Sequence, residues 1–475
     1  MPSNENDDET VNSKDKRCTS VCLIKNSRKS GRSTLPTRTS QDDIIASVPC
    51  HSSTSCCPHM KACEQRRSLH GQYARKDMSV RDTDVEKRGA SLSGKRILVG
   101  VTGGIAAVDT VRLLREMRRH GAEMLVIMTE SAQRVITPLA VEWASQCEVI
   151  TDWDGDMKQL EDVDAILVAP ATRNTIAAHL HGMQQGPLLM ALSAARSRNT
   201  HILMIPSMHA DLADDPVTDD IVERLRDEDI DVMWGDLEEG KRKTPNHEHI
   251  VARFAHGIHA HSKNRKSVVV TLGGTYSPID DVRGVQNTSS GSTGYAIADE
   301  LYRYGHDVTC VVGRTSVEQP SWLPLCIKAE QPDEMLAELK ALSNDEIHAW
   351  VHTAAVLDYV VETPAEGKLA SQQGPLRVQL VEGAKHIQEL KEKVRGSTRI
   401  GFKLETGIKQ RDLIHRATAQ IEHSEMTAVI ANRLEDLGDS SKPRGYLVDK
   451  QGSHFVLETQ YDLCDALRTI IERGD

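Results

Sequence analysis

At 475 residues the chain is too long for one ordinary domain and fits roughly two or three. A formal net charge of -11 leaves no basic surplus to displace counterions from phosphates, which argues against nonspecific nucleic-acid binding. Every apolar run falls short of the roughly 18 residues that span a bilayer, and MPSNENDDET has neither the basic start nor the apolar stretch of a signal peptide. The expectation is a soluble, cytoplasmic protein with no nucleic-acid and no membrane partner.

Residues 1–94 show no patterned element. Six of the ten cysteines fall here (Cys18, Cys22, Cys50, Cys56, Cys57, Cys63), and PCHSSTSCCPHMKAC adds His51 and His59 as ligand types. The spacings make no pair of C-x2-C knuckles and no ribbon or ββα pattern surrounds them, so no metal site is assigned. A disordered leader is expected, too poor in apolar residues to build a core. Met78, shortly before the first strand, would make a natural start, and the leader would then be an artefact of start-site choice.

From residue 96 the texture changes. RILVGV is a continuous apolar run, the mark of a strand buried on both faces. It leads into TGGIAAVDTVRLLREMRRHGAE, a glycine turn and a helix of apolar residues at helical spacing. MLVIM (124–128), AILVAP (165–170) and HILMIP (201–206) follow as strands, with helical segments between. Alternating β and α predicts a doubly wound parallel sheet, here over 95–256. Residues 257–266, within the polar stretch AHGIHAHSKNRK, read as a linker. The pattern then restarts over 267–475 with SVVVTLGGT (267–275), a helix over YAIADELYRYG and DVTCVVG (307–313). Strands are further expected at AWVHTAAV (349–356), TRIGFKLE (398–405), MTAVIAN (426–432) and HFVLE (454–458). The fold class is thus α/β, with two doubly wound domains after the leader.

A strand running into TGGIAA at a helix start offers free N–H groups and a favourable dipole to an anion. The spacing is not G-x-G-x-x-G and no acidic residue stands where a ribose would be held, so a dinucleotide is not favoured. MTESAQRVITP (128–138) and APATRNTIA (169–177) follow the next strands, at the carboxyl ends where open α/β sheets bind ligands. Together GGIAA, MTESA, APATRNT and PSMH resemble the flavin-dependent cysteine decarboxylases. More closely they resemble the first half of the bifunctional phosphopantothenoylcysteine decarboxylase/phosphopantothenate–cysteine ligase family of coenzyme A biosynthesis, in an archaeal-like variant.

That resemblance implies a flavodoxin-like domain binding FMN. Gly103, Gly104, Ile105 and Thr129 would lie near the flavin phosphate, and Ala171, Thr172 and Asn174 near the ring and ribityl chain. The family oxidises the cysteinyl side chain of its substrate with flavin, loses CO2 and reduces the resulting enethiol. This chain departs from it in three places. The family's catalytic His before the third strand is missing, with Asp156 roughly in its place. GDLEEGKRKTP lacks the Cys that acts as proton donor, and GMQQGPLL replaces G-I-x-D-D-L-L. His209, in PSMH, is assigned as a surrogate base, the other reading being a polar loop residue. A second reading keeps an active ligase and gives a catalytically degenerate FMN-binding domain a structural or regulatory role.

VVVTLGGTYSPIDDVRGVQNTSSGSTGYAIA resembles the ligase half of the same family, whose pattern runs GGT-x-x-x-IDxVR-x-x-x-N-x-SSG-x-x-G. Physically, a Gly/Ser loop at a helix start presents N–H groups and hydroxyls to phosphate oxygens. The resemblance implies that the carboxylate of 4′-phosphopantothenate attacks CTP, giving an acyl-cytidylate and pyrophosphate, and that cysteine's amine then displaces CMP. Gly273, Gly274, Thr275, Arg283, Ser289, Ser290 and Gly291 are the matched nucleotide- and substrate-binding positions, and Asn287 the matched contact to the acyl phosphate. TAAVLDY places Asp358 on the nucleotide. Lys368, ten positions later in GKLAS, is the cation for the transition state, and GFKLET places Phe402 against the base with Lys403 nearby. The family's K-L-x-x-K before the last motif strand is absent, so ATP stays open beside CTP, and Lys403, Lys409 or Arg416 are the cations left to compensate. Mg2+ is expected with the nucleotide. Homo-oligomers are expected by the same resemblance.

Overall fold

The computed structural model describes residues 82–239, 241–371 and 374–474. The cysteine-rich stretch of the leader therefore lies outside the described residues. Residues 82–94 are described, and they pack: Leu92 is fully buried, and Arg88 pairs with Glu116 and Glu248. The packed body thus starts ahead of the expected boundary at 95.

Among the described residues, β1 (Arg96–Val101), β2 (Glu123–Met128), β3 (Val149–Ile150), β4 (Ala165–Ala171), β5 (His201–Pro206) and β6 (Asp231–Val232) form the first sheet. Its order is β3-β2-β1-β4-β5-β6, parallel throughout. Without the two-residue edge strand β3 this is the 2-1-3-4-5 order of flavodoxin-like sheets, with its switch point between β1 and β4. Helices cover both faces, which is why β1 and β4 are buried along nearly their whole length. Helix α1 (Thr110–Arg119) shows the complementary logic. It buries Leu113, Leu114 and Met117 on one face and ends in Arg118 and Arg119, where cations suit the helix dipole.

The second sheet comprises β7 (Ser267–Leu272), β8 (Asp307–Val312), β9 (Leu325–Lys328), β10 (Ala349–His352), β11 (Thr398–Glu405), β12 (Ala428–Arg433), β13 (Gly445–Asp449) and β14 (His454–Leu457). Its order is β9-β8-β7-β10-β11-β12-β13-β14, parallel up to β12 and antiparallel across the last two pairs. Strands β9 and β13 are not anticipated by the sequence reading. Both are short, and LCIK and GYLVD lack the long apolar run that marks the central strands. The switch point lies between β7 and β10, so LGG and HTAA leave the sheet side by side.

Helix α2 (His247–His259) joins the two halves. Phe254 and Ala255 enter the first core while Ala252 enters the second. The expected linker over 257–266 therefore begins inside a packed helix. His256 stacks on Tyr302, with ring centroids 4.2 Å apart, and its Nδ1–H donates to the Tyr302 carbonyl at 2.7 Å. A histidine-rich sequence reads as polar in isolation; here its rings are packing groups.

Candidate active sites

At the first switch point the buried Thr102 ties two strand ends together. Its hydroxyl donates to the carbonyl of Pro170 at 2.8 Å and accepts the N–H of Thr172 at 2.9 Å. The turn through Gly103 is pressed against the MTESA turn: a Cβ on Gly103 would stand 2.4 Å from the Ser131 hydroxyl. Thr129 holds that second turn, accepting the N–H of Ala132 at 3.3 Å and lying 3.2 Å from the Ser131 hydroxyl. Gly104 leads into a short 3-10 turn, Ile105–Asp109, whose first N–H groups have no partner within the turn. Thr172 caps the helix Arg173–Leu180 through the N–H of Thr175, leaving Ala171 buried behind it and Asn174 exposed. A Cβ on Gly104 would come within 3.8 Å of the Ser207 carbonyl, so the PSMH loop closes the same cradle. These close approaches and exposed turn N–H groups fit a flavin phosphate.

His209 stands at the mouth of this region, its side chain 52% exposed. Nδ1 accepts the Asp211 N–H at 3.3 Å as an N-cap, and the Asp211 carboxylate lies 3.2 Å away. Asp156 is exposed on a separate turn, where its N–H donates to Asp154.

In the second half a cleft of about 1120 Å³ opens at the carboxyl ends of the strands. It is lined by Gly273, Ser289, Ser290, Gly291, Asp358, Phe402 and Lys403 among the sequence-assigned residues. Gly291 is left-handed at φ +80° and caps helix α3 (Ser292–Arg303), and a Cβ on Gly294 would sit 2.3 Å from Leu272 Cβ. The loop thus needs glycine both to turn and to let the helix lie on β7.

The remaining assigned residues are not among those lining the cleft. Gly274 exchanges both backbone hydrogen bonds with Arg314, at 2.9 and 2.8 Å. Thr275 is buried, and its hydroxyl accepts the Leu357 N–H at 2.9 Å. The Asn287 amide nitrogen donates to the carbonyls of Ala355 and Val356 at 3.3 and 3.0 Å, so the donor expected for the acyl phosphate is engaged by backbone. Arg283 donates to the Leu369 carbonyl at 2.8 Å and Lys368 is exposed on that same loop, outside the cleft lining. Around Asp280 burial opposes ionisation, but the N–H groups of Val282, Leu369 and Arg283, with the Arg283 charge, outweigh it and lower its pKa.

Arg416, one of the cations left open by the sequence, also lines the cleft, and several further lining groups have no motif to announce them: Lys385, Arg444, His352, His386 and His423. Arg444 donates to the Thr293 hydroxyl at 2.6 Å and to Gln460 at 2.9 Å, bracing the loop from the far edge of the sheet. Burial, helped by the nearby Arg399, pushes the His352 imidazole down to about 3, so it is neutral near pH 7. Among the described residues no group of three His, Cys, Asp or Glu side chains is arranged to hold a metal ion. None of the described helices is long and apolar enough to cross a membrane.

Residues 86–259 match the family model described as Flavoprotein, and residues 263–471 match that of the DNA/pantothenate metabolism flavoprotein C-terminal domain. The class is therefore a flavoprotein domain followed by that C-terminal domain. The chain is 37% identical over 358 residues to the coenzyme A biosynthesis bifunctional protein CoaBC of Thermococcus kodakarensis, covering 73% of this chain and 87% of that protein. It is 31% identical over 348 residues to the protein of the same description in Methanocaldococcus jannaschii, covering 72% and 84%. A solved C-terminal domain of a CoaBC protein aligns with 45% of this chain and 97% of its own length, at 23% identity and a TM-score of 0.37. The chain belongs to the CoaBC family of coenzyme A biosynthesis bifunctional proteins. It is an enzyme with a ligase half and a decarboxylase half, acting on small molecules.

Proposed function

We propose that the second half couples 4′-phosphopantothenate to cysteine at the expense of CTP, and that the first half, holding FMN, decarboxylates the product to 4′-phosphopantetheine. The observation that carries the ligase reading is the convergence of the Gly/Ser loop, Asp358, Phe402 and Lys403 on one cleft at the strand ends. The loop and the start of α3 take phosphate oxygens, and Phe402 offers a ring to the base. Asn287 stands behind the loop, and its amide would exchange a backbone carbonyl for the acyl phosphate as charge develops there. Lys368 reaches the reacting phosphate by movement of its loop. Mg2+ would enter on the nucleotide phosphates, as it keeps water and phosphate ligands in preference to an all-protein cage.

In the first half Gly103, Gly104, Ile105 and Thr129 would hold the flavin phosphate, and Ala171, Thr172 and Asn174 the ring and ribityl chain. FMN, when bound, supplies the two-electron oxidation and re-reduction of the cysteinyl side chain. His209 would take up the proton at Nε2 in the tautomer whose Nδ1–H faces the Asp211 carboxylate, 3.2 Å away, in place of the Asp211 N–H. The working assembly is read as a homo-oligomer.

The test combines purified protein with 4′-phosphopantothenate, carboxyl-labelled cysteine, Mg2+ and either CTP or ATP, following pyrophosphate and labelled CO2 together. Pyrophosphate and CO2 with CTP are expected. Pyrophosphate without CO2 would overturn the decarboxylase assignment, and faster turnover with ATP the nucleotide assignment. Absence of both products with either nucleotide would overturn the whole reading.

A further inference from the structure

Glu405 is out of place in a cleft that takes a phosphate chain, because a carboxylate there repels the ligand. Its surroundings give it a purpose. Oε1 lies 3.2 Å from Lys403 Nζ and Oε2 lies 2.6 Å from Arg416 Nη1. The Glu405 side chain is only 16% exposed, while Lys403 and Arg416 are 36% and 52% exposed. All three line the cleft. Lys403 comes from β11, and Arg416 from helix α4 (Gln410–Ser424), which turns Arg416, Ala419, Gln420 and His423 to the cleft at the spacing of one helical face.

Each cation gives one donor to Glu405 and keeps others. Lys403 has two further N–H groups, and Arg416 retains the rest of its five-donor fork. Two cations and one carboxylate leave a net positive charge. Flexible side chains that must be ordered on binding cost roughly 0.5–1.5 kcal/mol each in lost freedom. Cations already anchored to a partly buried carboxylate have lost much of that freedom beforehand.

We propose that Lys403 and Arg416 form the cation pair that grips the phosphate chain of the nucleotide opposite the Gly/Ser loop, and that Glu405 is a positioning residue holding them apart. The inference rests on the nucleotide-dependent ligase reading, selects Arg416 beside Lys403 from the cations the sequence left open, and adds Glu405 to them.

The test uses full-length protein and the variants Arg416→Gln, Arg416→Lys and Glu405→Gln. Initial rates give the nucleotide KM, the 4′-phosphopantothenate KM and kcat, and calorimetry gives the affinity for inorganic tripolyphosphate without any turnover. Losing a hydrogen bond to a charged group costs about tenfold or more. Arg416→Gln should therefore raise the nucleotide KM and weaken tripolyphosphate about tenfold, with the 4′-phosphopantothenate KM nearly unchanged. Arg416→Lys should recover part of this. Glu405→Gln should raise the nucleotide KM about threefold, although it removes a negative charge; a simple repulsive carboxylate would give the opposite sign. Unchanged nucleotide KM and tripolyphosphate affinity in Arg416→Gln, or tighter binding in Glu405→Gln, would overturn the proposal. A parent protein that makes no pyrophosphate would instead sink the ligase reading, and tripolyphosphate affinity would still decide the cation pair.

Discussion

The carboxylate of Asp280 accepts the backbone N–H of Leu369 at 3.1 Å, across 89 positions of sequence. Its other oxygen takes the N–H groups of Val282 and Arg283 at 2.9 and 2.7 Å, and Arg283 in turn donates to the Leu369 carbonyl. The turn IDDVR and the loop carrying Lys368 are therefore one mechanical unit, in which Asp280 and Arg283 organise the loop.

Asp280→Asn should loosen that loop, because an amide can turn a donor toward N–H groups that need an acceptor. Trypsin is expected to cut after Lys368 faster than in the parent, and ligase kcat to fall with the nucleotide KM little changed. Cleavage at the parent's rate would refute the coupling.

The first cradle depends on a close approach at Gly103. In Gly103→Ala the new methyl would stand 2.4 Å from the Ser131 hydroxyl and 2.9 Å from its backbone carbon, so the two turns must separate. Overpacking of this kind costs typically 1–3 kcal/mol. The variant should purify with less flavin, read from its visible absorbance, while keeping its ligase rate. Full flavin content would show that the turn is not part of the cradle.

Glu300, on α3, is buried with its nearest cation, Arg468 Nε, 3.7 Å away. Burial raises its pKa from 4.5 to about 7, and Arg468 only partly offsets this. The folded pKa lies above the unfolded one, so its contribution is full below pH 4.5 and is lost as pH rises through about 7. Glu300→Gln should remove that slope and be more stable than the parent at pH 8, by on the order of 1–3 kcal/mol. Chemical denaturation across this range checks it. A Gln variant less stable at pH 8 would mean that the Arg468 interaction prevails.

Cys310 and Cys326 are register partners on β8 and β9. Their mutual hydrogen bond, together with burial, pushes the Cys310 thiol up, and the same bond draws Cys326 down. Burial also pushes Cys464 up to about 12. Among the described cysteines, iodoacetamide should reach Cys326 first and leave Cys310 and Cys464 until the protein unfolds, as peptide mass spectrometry would show. Equal labelling of Cys310 in the folded protein would contradict this assignment.

Both α/β halves and the strand ends that frame the candidate sites were legible in the sequence. Strands buried on both faces must be continuous apolar runs, and RILVGV and SVVVTL announce themselves. The Gly/Ser loop was legible too, because a left-handed turn and a helix lying on β7 leave glycine little competition at Gly291 and Gly294. Tertiary structure alone decided that Arg283 serves the Lys368 loop and that Arg444 reaches Thr293 from 151 positions away. It also decided that Glu405 stands between Lys403 and Arg416. Periodicity of burial is a local property, written in every short window of the chain. Which side chains meet depends on the order in which strands are laid into the sheet, and no short window contains that order.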